Sequence, residues 1–425
     1  MKISKEILGW VGYDFANSAF TTVIVTVVYS VYFKTVVVGQ EGLGDYLWGL
    51  SMSISMLIVA LSSPILGAIA DASHSKKKFL LVYCYTSVIF TAMLFFIGEN
   101  AILPGMLFFI IANIGFEGGN VFYNAFLPEI VSQQDIGKVS GLGWGIGYLG
   151  GLSALVVALP FIENHTALVF PLTAFFFGIF AIPIFLWVKD RKEPGPKISA
   201  QNQKTNYIKA GYRQLALTFK HIRRFKELAK FLLAFFVYND GIKTVIAFAA
   251  IYGAQEFGMT GTQLIVYFII ANISSFFGAL VFGYVSDKLG AKRTISITLF
   301  LWIGVVIWAF LCPTVKQFYG VGFLAGLAIG SSQATSRTMM AILSPRDKYA
   351  EFFGFYAVSG KAAAIIGPFL YGLIVLWVGS QRLAILSILA FFIGGLVLLQ
   401  TVNEKQGIKA AQDYDKAMAT SSYAK

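Results

Sequence analysis

Apolar runs of about 20 residues, separated by short polar stretches, dominate the chain, and each is long enough to cross a bilayer as one helix. They fall near residues 8–33, 46–70, 79–98, 102–127, 139–160, 166–188, 230–254, 262–285, 293–312, 318–342, 353–377 and 382–402, so twelve transmembrane helices are expected. Polar residues inside these runs break the pattern in an ordered way. In the first run Asp14, Asn17, Ser18 and Thr21 share one face at helical spacing, while Phe15, Ala19, Phe20 and Val23 lie away from it. Lipid cannot satisfy such a face, so it must line protein or water. The seventh run carries Tyr238-Asn239-Asp240, and its Thr244-Val245-Ile246 repeats Thr22-Val23-Ile24. Two polar-faced helices about 220 residues apart predict a duplicated bundle whose first helices face each other across a pathway.

The fourth run holds Asn113, Glu117, Asn120 and Asn124 along one helix edge, with Tyr123 beside them. Glu117 falls near the middle of the span, where an ionised carboxylate costs at least ~3 kcal/mol on insertion scales, so it should be protonated, paired or wet. A structural Glu satisfied by a neighbouring helix is the plainer alternative to a proton or substrate site. Lys243, Lys361 and Arg337 supply cations in the seventh, eleventh and tenth runs, and a network of paired charges with Asp14, Glu117 and Asp240 would explain how each tolerates burial. Glycines four apart in the fifth run, Gly143, Gly147 and Gly151, form a seam for close helix approach. Gly367-Pro368 in the eleventh reads as a hinge or packing notch.

The one long polar stretch, 189–229, contains Pro194-Gly195-Pro196 and an amphipathic pattern at Ile208, Tyr212, Leu215, Phe219 and Ile222 with basic residues around it. It is expected to join two six-helix halves, 1–188 and 230–402, as a surface tether, with 403–425 as a tail.

Composition agrees: of 425 residues 57% are hydrophobic and only 13% charged, far from the ~25% charged of soluble domains. The net charge of +12 reflects orientation, because Lys and Arg cluster in alternate connections, among them Lys76, Lys77, Lys78, Lys138, Lys292 and Arg346. That asymmetry places both termini in the cytoplasm of a multi-pass protein in a bacterial inner membrane, and no part of the charge pattern suggests nucleic acid. The first run is too long and too polar for a cleaved signal core. Cys84 and Cys312 fall near opposite membrane faces, so no disulfide is expected. No Walker sequence, HExxH or metal-spaced Cys/His cluster occurs, so no enzyme activity, metal or cofactor is expected, and uphill transport would draw on an ion gradient.

The loop Gly283-Tyr-Val-Ser-Asp287-Lys288-Leu-Gly290 followed by Lys292-Arg293, and its weaker counterpart Gly67-Ala-Ile-Ala-Asp71, resemble the inner-loop pattern of the major facilitator superfamily. That resemblance implies the twelve-helix facilitator fold and a gating latch in which Asp71 and Asp287, with Lys288 and Arg293, hold helix ends of the other half; Arg337 reads as a snorkelling or gate residue. Tyr13-Asp14-Phe-Ala-Asn17-Ser18, Ser140-Gly-Leu-Gly-Trp144, Tyr238-Asn-Asp240-Gly, Gln333-Ala-Thr-Ser-Arg337 and Glu351-Phe-Phe-Gly-Phe-Tyr356 are similar to the branch that includes the autophagy-related vacuolar amino-acid effluxers. It implies export of small molecules.

The expected activity is therefore secondary active transport by alternating access, proton-coupled, of a small polar or zwitterionic solute such as an amino acid or short peptide. Asp14, Glu117 and Asp240 are the candidate protonation sites, and Asn17, Asn113, Asn120, Tyr238, Asn239, Lys243 and Lys361 the candidate substrate contacts. The expected partners are that solute, the proton and membrane lipids, for a monomeric protein. A lipid or amphiphile flippase and a transporter-fold receptor without turnover are the rival readings.

Overall fold

The protein is described by a computed structural model covering residues 4–40, 42–73, 76–131, 136–189, 216, 225–345 and 349–423. Among these residues every regular element is a helix. The chain divides into two compact units, Met1–Leu215 with Thr260–Ile265, and Ala216–Met259 with Val266–Lys425. The tether expected at 189–229, with its amphipathic pattern, lies largely outside the described residues.

In the first unit α1 spans Lys5–Val38, followed by α2 (Leu43–Ser73), α3 (Lys76–Met93), α4 (Ile102–Ile130), α5 (Ile136–Ala158) and α6 (Thr166–Trp187). The β-branched stretch in the middle of α1 winds as a wide π-helix over Phe20–Val27, where the Val28 N–H reaches back five residues to the Val23 carbonyl (2.8 Å). Thr26 Oγ1 makes the same five-residue reach, donating to the Thr21 carbonyl (2.8 Å). α1 runs on past residue 33 because Lys34 does not mark a membrane edge. Its ammonium is buried and paired with the buried Asp45 carboxylate at the start of α2 (2.6 Å).

α5 packs on α1 through its glycines. A methyl group on Gly150 would lie 2.0 Å from the Phe15 carbonyl oxygen, and one on Gly151 2.5 Å from Thr22 Oγ1. Such close approach is what small residues permit.

The second unit holds α7 (Lys226–Phe257), α8 (Gly261–Leu289) from Val266 onward, α9 (Ala291–Leu311), α10 (Val315–Leu343), α11 (Tyr349–Ala362), α12 (Ile366–Val378), α13 (Gln381–Gln400) and α14 (Glu404–Tyr423). Eleven spans among the described residues are long and apolar enough to cross a membrane. The missing one is α10, a 29-residue helix over the expected tenth span, diluted by Ser331, Ser332, Gln333, Thr335, Ser336 and Arg337. The expected eleventh span is two helices, α11 and α12. Pro368 accounts for the break: it has no N–H for the Ala364 carbonyl, its ring clashes there, and it is well placed within a first turn.

The expected tail is also a helix. Asn403 Oδ1 accepts from the Gln406 N–H (3.1 Å) to start α14, and Glu404 accepts from the Ala291 and Lys292 N–H groups at the head of α9 (2.9 and 3.3 Å). Lys292 in turn donates to the Gln400 and Val402 carbonyls that end α13 (2.9 and 2.7 Å). Ala411 is buried, and Tyr414 meets the Phe225 ring edge-on at 5.6 Å. Outside these contacts the large apolar side chains that remain exposed, such as Phe96, Phe175, Leu186 and Trp377, lie on the spans or at their ends.

Candidate transport site

The two units carry polar clusters of the same design, each built on the first helix of its unit. In the first, Asp14 and Asn17 sit one turn apart on α1, and Ser18 Oγ donates to the Asp14 carbonyl (2.7 Å). In the second, Asn239 and Asp240 sit on α7, and Thr244 Oγ1 donates to the Asp240 carbonyl (2.7 Å). Asp14 and Ser18 thus parallel Asp240 and Thr244, and Thr22 parallels Thr244 as well, its Oγ1 facing Gly151 of α5 as that of Thr244 faces Gly367 of α12. Both carboxylates face a glycine of the helix opposite: a methyl on Gly143 of α5 would lie 2.6 Å from Asp14 Oδ2, and one on Gly367 of α12 2.7 Å from Asp240 Oδ1.

The polar edge of α4 divides between its neighbours. Asn120 Oδ1 accepts from Asn17 Nδ2 on α1 (3.3 Å), whereas Asn113 is buried against α2, donating to Ser55 Oγ (2.7 Å). Glu117 lies between them, partly buried at mid-helix. Asn124 turns to its own backbone and donates to the Asn120 carbonyl (2.8 Å). Trp10 and Tyr13 close this cluster against Tyr123, with ring centroids 4.5 and 4.9 Å away, and the Trp10 indole N–H donates to the Tyr123 carbonyl (3.0 Å).

In the second unit Tyr238 is fully buried, and its hydroxyl bonds Ser336 Oγ of α10 (2.6 Å). Asn239 Nδ2 donates to the Gly360 carbonyl near the end of α11 (3.2 Å), which places Lys361, half-buried, one residue away. Lys243 is half-buried one turn along α7 from Asn239, and Arg337 half-buried next to Ser336. The Asp240 carboxylate accepts the Gly367 N–H at the head of α12 (2.9 Å). Thus Tyr238, Asn239, Asp240 and Lys361 gather where α7, α10 and the broken span meet, while Asn17 and Asn120 meet on the first unit's α1 and α4.

The expected latch is reached only in part. The side chains of Asp71 and Asp287 lie outside the described set; Lys288 is exposed with its ammonium 4.5 Å from the Tyr284 ring centroid, and Arg293 is exposed. Sequence reasoning passed over Ser55, Ser336, Gly360 and Tyr356, whose ring stacks on Phe235 at 4.2 Å. Serines and a backbone carbonyl carry no periodic signal of their own, although Ser336 and Tyr356 fall inside two of the phrases quoted for the family resemblance.

The polar clusters belong to a known kind of protein. The chain matches the family described as vacuole effluxer Atg22 like over residues 48–137 and 132–412. It is 31% identical to the MFS-type transporter YxiO of Bacillus subtilis, over 97% of this chain and 98% of that one. Autophagy-related protein 22 of Yarrowia lipolytica is 23% identical, over 86% of this chain and 76% of its own length. Among solved structures, a bacterial homologue of the human lysosomal transporter Spinster, inward-facing and unoccupied, matches with a TM-score of 0.71 at 16% identity, covering 95% of this chain and 97% of that one. The nucleoside transporter NupG matches with a TM-score of 0.65 at 16% identity, covering 94% and 97%. The fold is that of the major facilitator superfamily, the protein is a multi-pass membrane transporter of that type, and the chain belongs to the Atg22-like effluxer family.

Proposed function

We propose that this protein is a secondary active transporter that exports a small polar or zwitterionic solute, an amino acid or short peptide, by alternating access coupled to the proton gradient. The observation that carries the reading is the pair of clusters in which a carboxylate, an amide and a hydroxyl are held together on the first helix of each unit. Amides next to charges of both signs suit a zwitterion, because its ammonium finds a carboxylate and its carboxylate a cation. On this reading Asn17, Asn120, Tyr238, Asn239, Lys243 and Lys361 contact the solute, and Asn113 supports them through Ser55. Asp14, Glu117 and Asp240 are the carboxylates available to carry the proton.

The protein then works as a monomer in a bacterial inner membrane with both termini cytoplasmic. Asp71, Asp287, Lys288, Arg293 and Arg337 act in gating. A thermal-shift screen of the purified chain against amino acids, dipeptides, nucleosides and lysolipids tests the solute class, since a ligand that binds only the folded state raises its apparent stability. Stabilisation by amino acids or dipeptides is expected; stabilisation by lysolipids alone would favour an amphiphile carrier.

A further inference from the structure

The second unit holds an arrangement that solute binding leaves unexplained. Asp240 is 1% exposed in the middle of α7, and its two carboxylate oxygens differ. Oδ1 accepts the Gly367 N–H (2.9 Å), whereas Oδ2 is buried and has no hydrogen-bond partner among the described residues. The carboxylate stands at the first turn of α12, just after the break that separates it from α11, and a methyl group on Gly367 would collide with Asp240 Oδ1 and lie 2.0 Å from Thr244 Oγ1. Only glycine lets the two helices meet here.

A helix start needs an acceptor for its free N–H groups, and Asn, Ser or Thr would serve without a charge. A carboxylate buried in an apolar span, with one oxygen idle, is an expensive cap. The matching carboxylate of the first unit, Asp14, is partly exposed and faces Gly143 within the unbroken α5, so the break is particular to Asp240. We propose that Asp240 is the coupling-cation site of the transporter: Oδ2 takes a small monovalent cation, a proton or a sodium ion, and its arrival weakens the grip of Oδ1 on Gly367, so that α12 shifts against α11 at the break. An organic ammonium is too large for an oxygen sealed in this way. The proposal rests on the reading above that transport is driven by an ion gradient and assigns the coupling step to one carboxylate; a sodium dependence would keep this site and replace the proton as the coupling ion.

The charged and titratable groups carried near Asp240 are Tyr238 and Lys243 of α7, Lys361 and Tyr356 of α11, Arg337 of α10 and Tyr371 of α12; α13 brings Phe391 and Phe392 to Gly241.

The test uses the full chain in proteoliposomes, with Cys84→Ala and Cys312→Ala and one cysteine placed at the break, Ala364→Cys, which is buried. Its alkylation rate is measured over a pH series without sodium, corrected at each pH for the ionisation of the introduced thiol itself, and over a sodium series at fixed pH. The expected result is a several-fold change in one series, which names the cation, and its disappearance in Asp240→Asn, whose amide keeps an acceptor for Gly367 but cannot take up a proton or pair with sodium as an anion. No dependence on either cation in the wild-type background, or an unchanged dependence in Asp240→Asn, overturns the proposal. Should Asp240→Asn fail to fold, Asp240→Glu replaces it, with a shifted midpoint expected and an unshifted one contradictory. Solute binding is read in the same samples by thermal shift; its absence would count against the proposed function while leaving the alkylation result to decide this point.

Discussion

At Gly150 of α5, the residue scale is at its least forgiving, because the Cβ of any other residue would lie 2.0 Å from the backbone carbonyl of Phe15. A backbone atom cannot turn aside as a side chain can, so Gly150→Ala is expected to destabilise by ~1–3 kcal/mol, whereas Gly145→Ala, which meets nothing within 4 Å, should be neutral. Unfolding midpoints of the two variants in detergent check the contrast, and equal midpoints would remove the seam. Asn239 presents the opposite case, a contact that matters for binding. Its bond to the Gly360 carbonyl sits beside Lys361, so Asn239→Ala should weaken solute affinity about tenfold, ~1.4 kcal/mol, with a midpoint nearly unchanged. Titration calorimetry with the solute found by screening is the check; unchanged affinity would take Asn239 out of the site. Polar faces of this kind were legible because helical periodicity puts Asp14 with Asn17, but their partners were not. Asn113 and Asn120 stand on one edge of α4 and serve different helices, a division set by packing that no spacing reveals.

Elements were more legible than their ends. Apolar length places eleven spans among the described residues, yet α1 extends to Val38 because Lys34 is neutralised by Asp45, a pairing between neighbouring helices rather than a membrane edge. The stretch after Val402 is too polar to read as a span and so looks like a tail, whereas Asn403 and Glu404 start a helix and tie it to α9. Glu404→Ala should therefore leave two N–H groups at the head of α9 unmet and lower stability by ~1 kcal/mol, while Glu404→Gln, which retains an acceptor, should lose less. Thermal unfolding of both variants checks this, and equal loss would mean that charge rather than capping matters. The Gly367-Pro368 pair, legible as a hinge or notch, is a full break in which the helix end is held by Asp240 from α7.

For the whole molecule, two six-helix halves were expected from duplication of the polar first helix and of the loop pattern; the facilitator fold is borne out, with eleven spans among the described residues long and apolar enough to cross a membrane. Orientation rests on the charge of alternate loops, so a reporter fused after Lys425 and a tag within 189–229 should both report cytoplasm, and labelling of either by an impermeant reagent in intact cells would overturn it. Solute identity was never legible, because it depends on the shape of a cavity assembled from many helices. The central claim is gradient-driven movement of a small zwitterion. Its most direct test is uptake of labelled amino acids or dipeptides by proteoliposomes under an imposed pH gradient, with and without a protonophore. Accumulation that collapses with the protonophore is predicted; equilibration without accumulation, or movement of a labelled lipid in place of the soluble solute, would contradict the account.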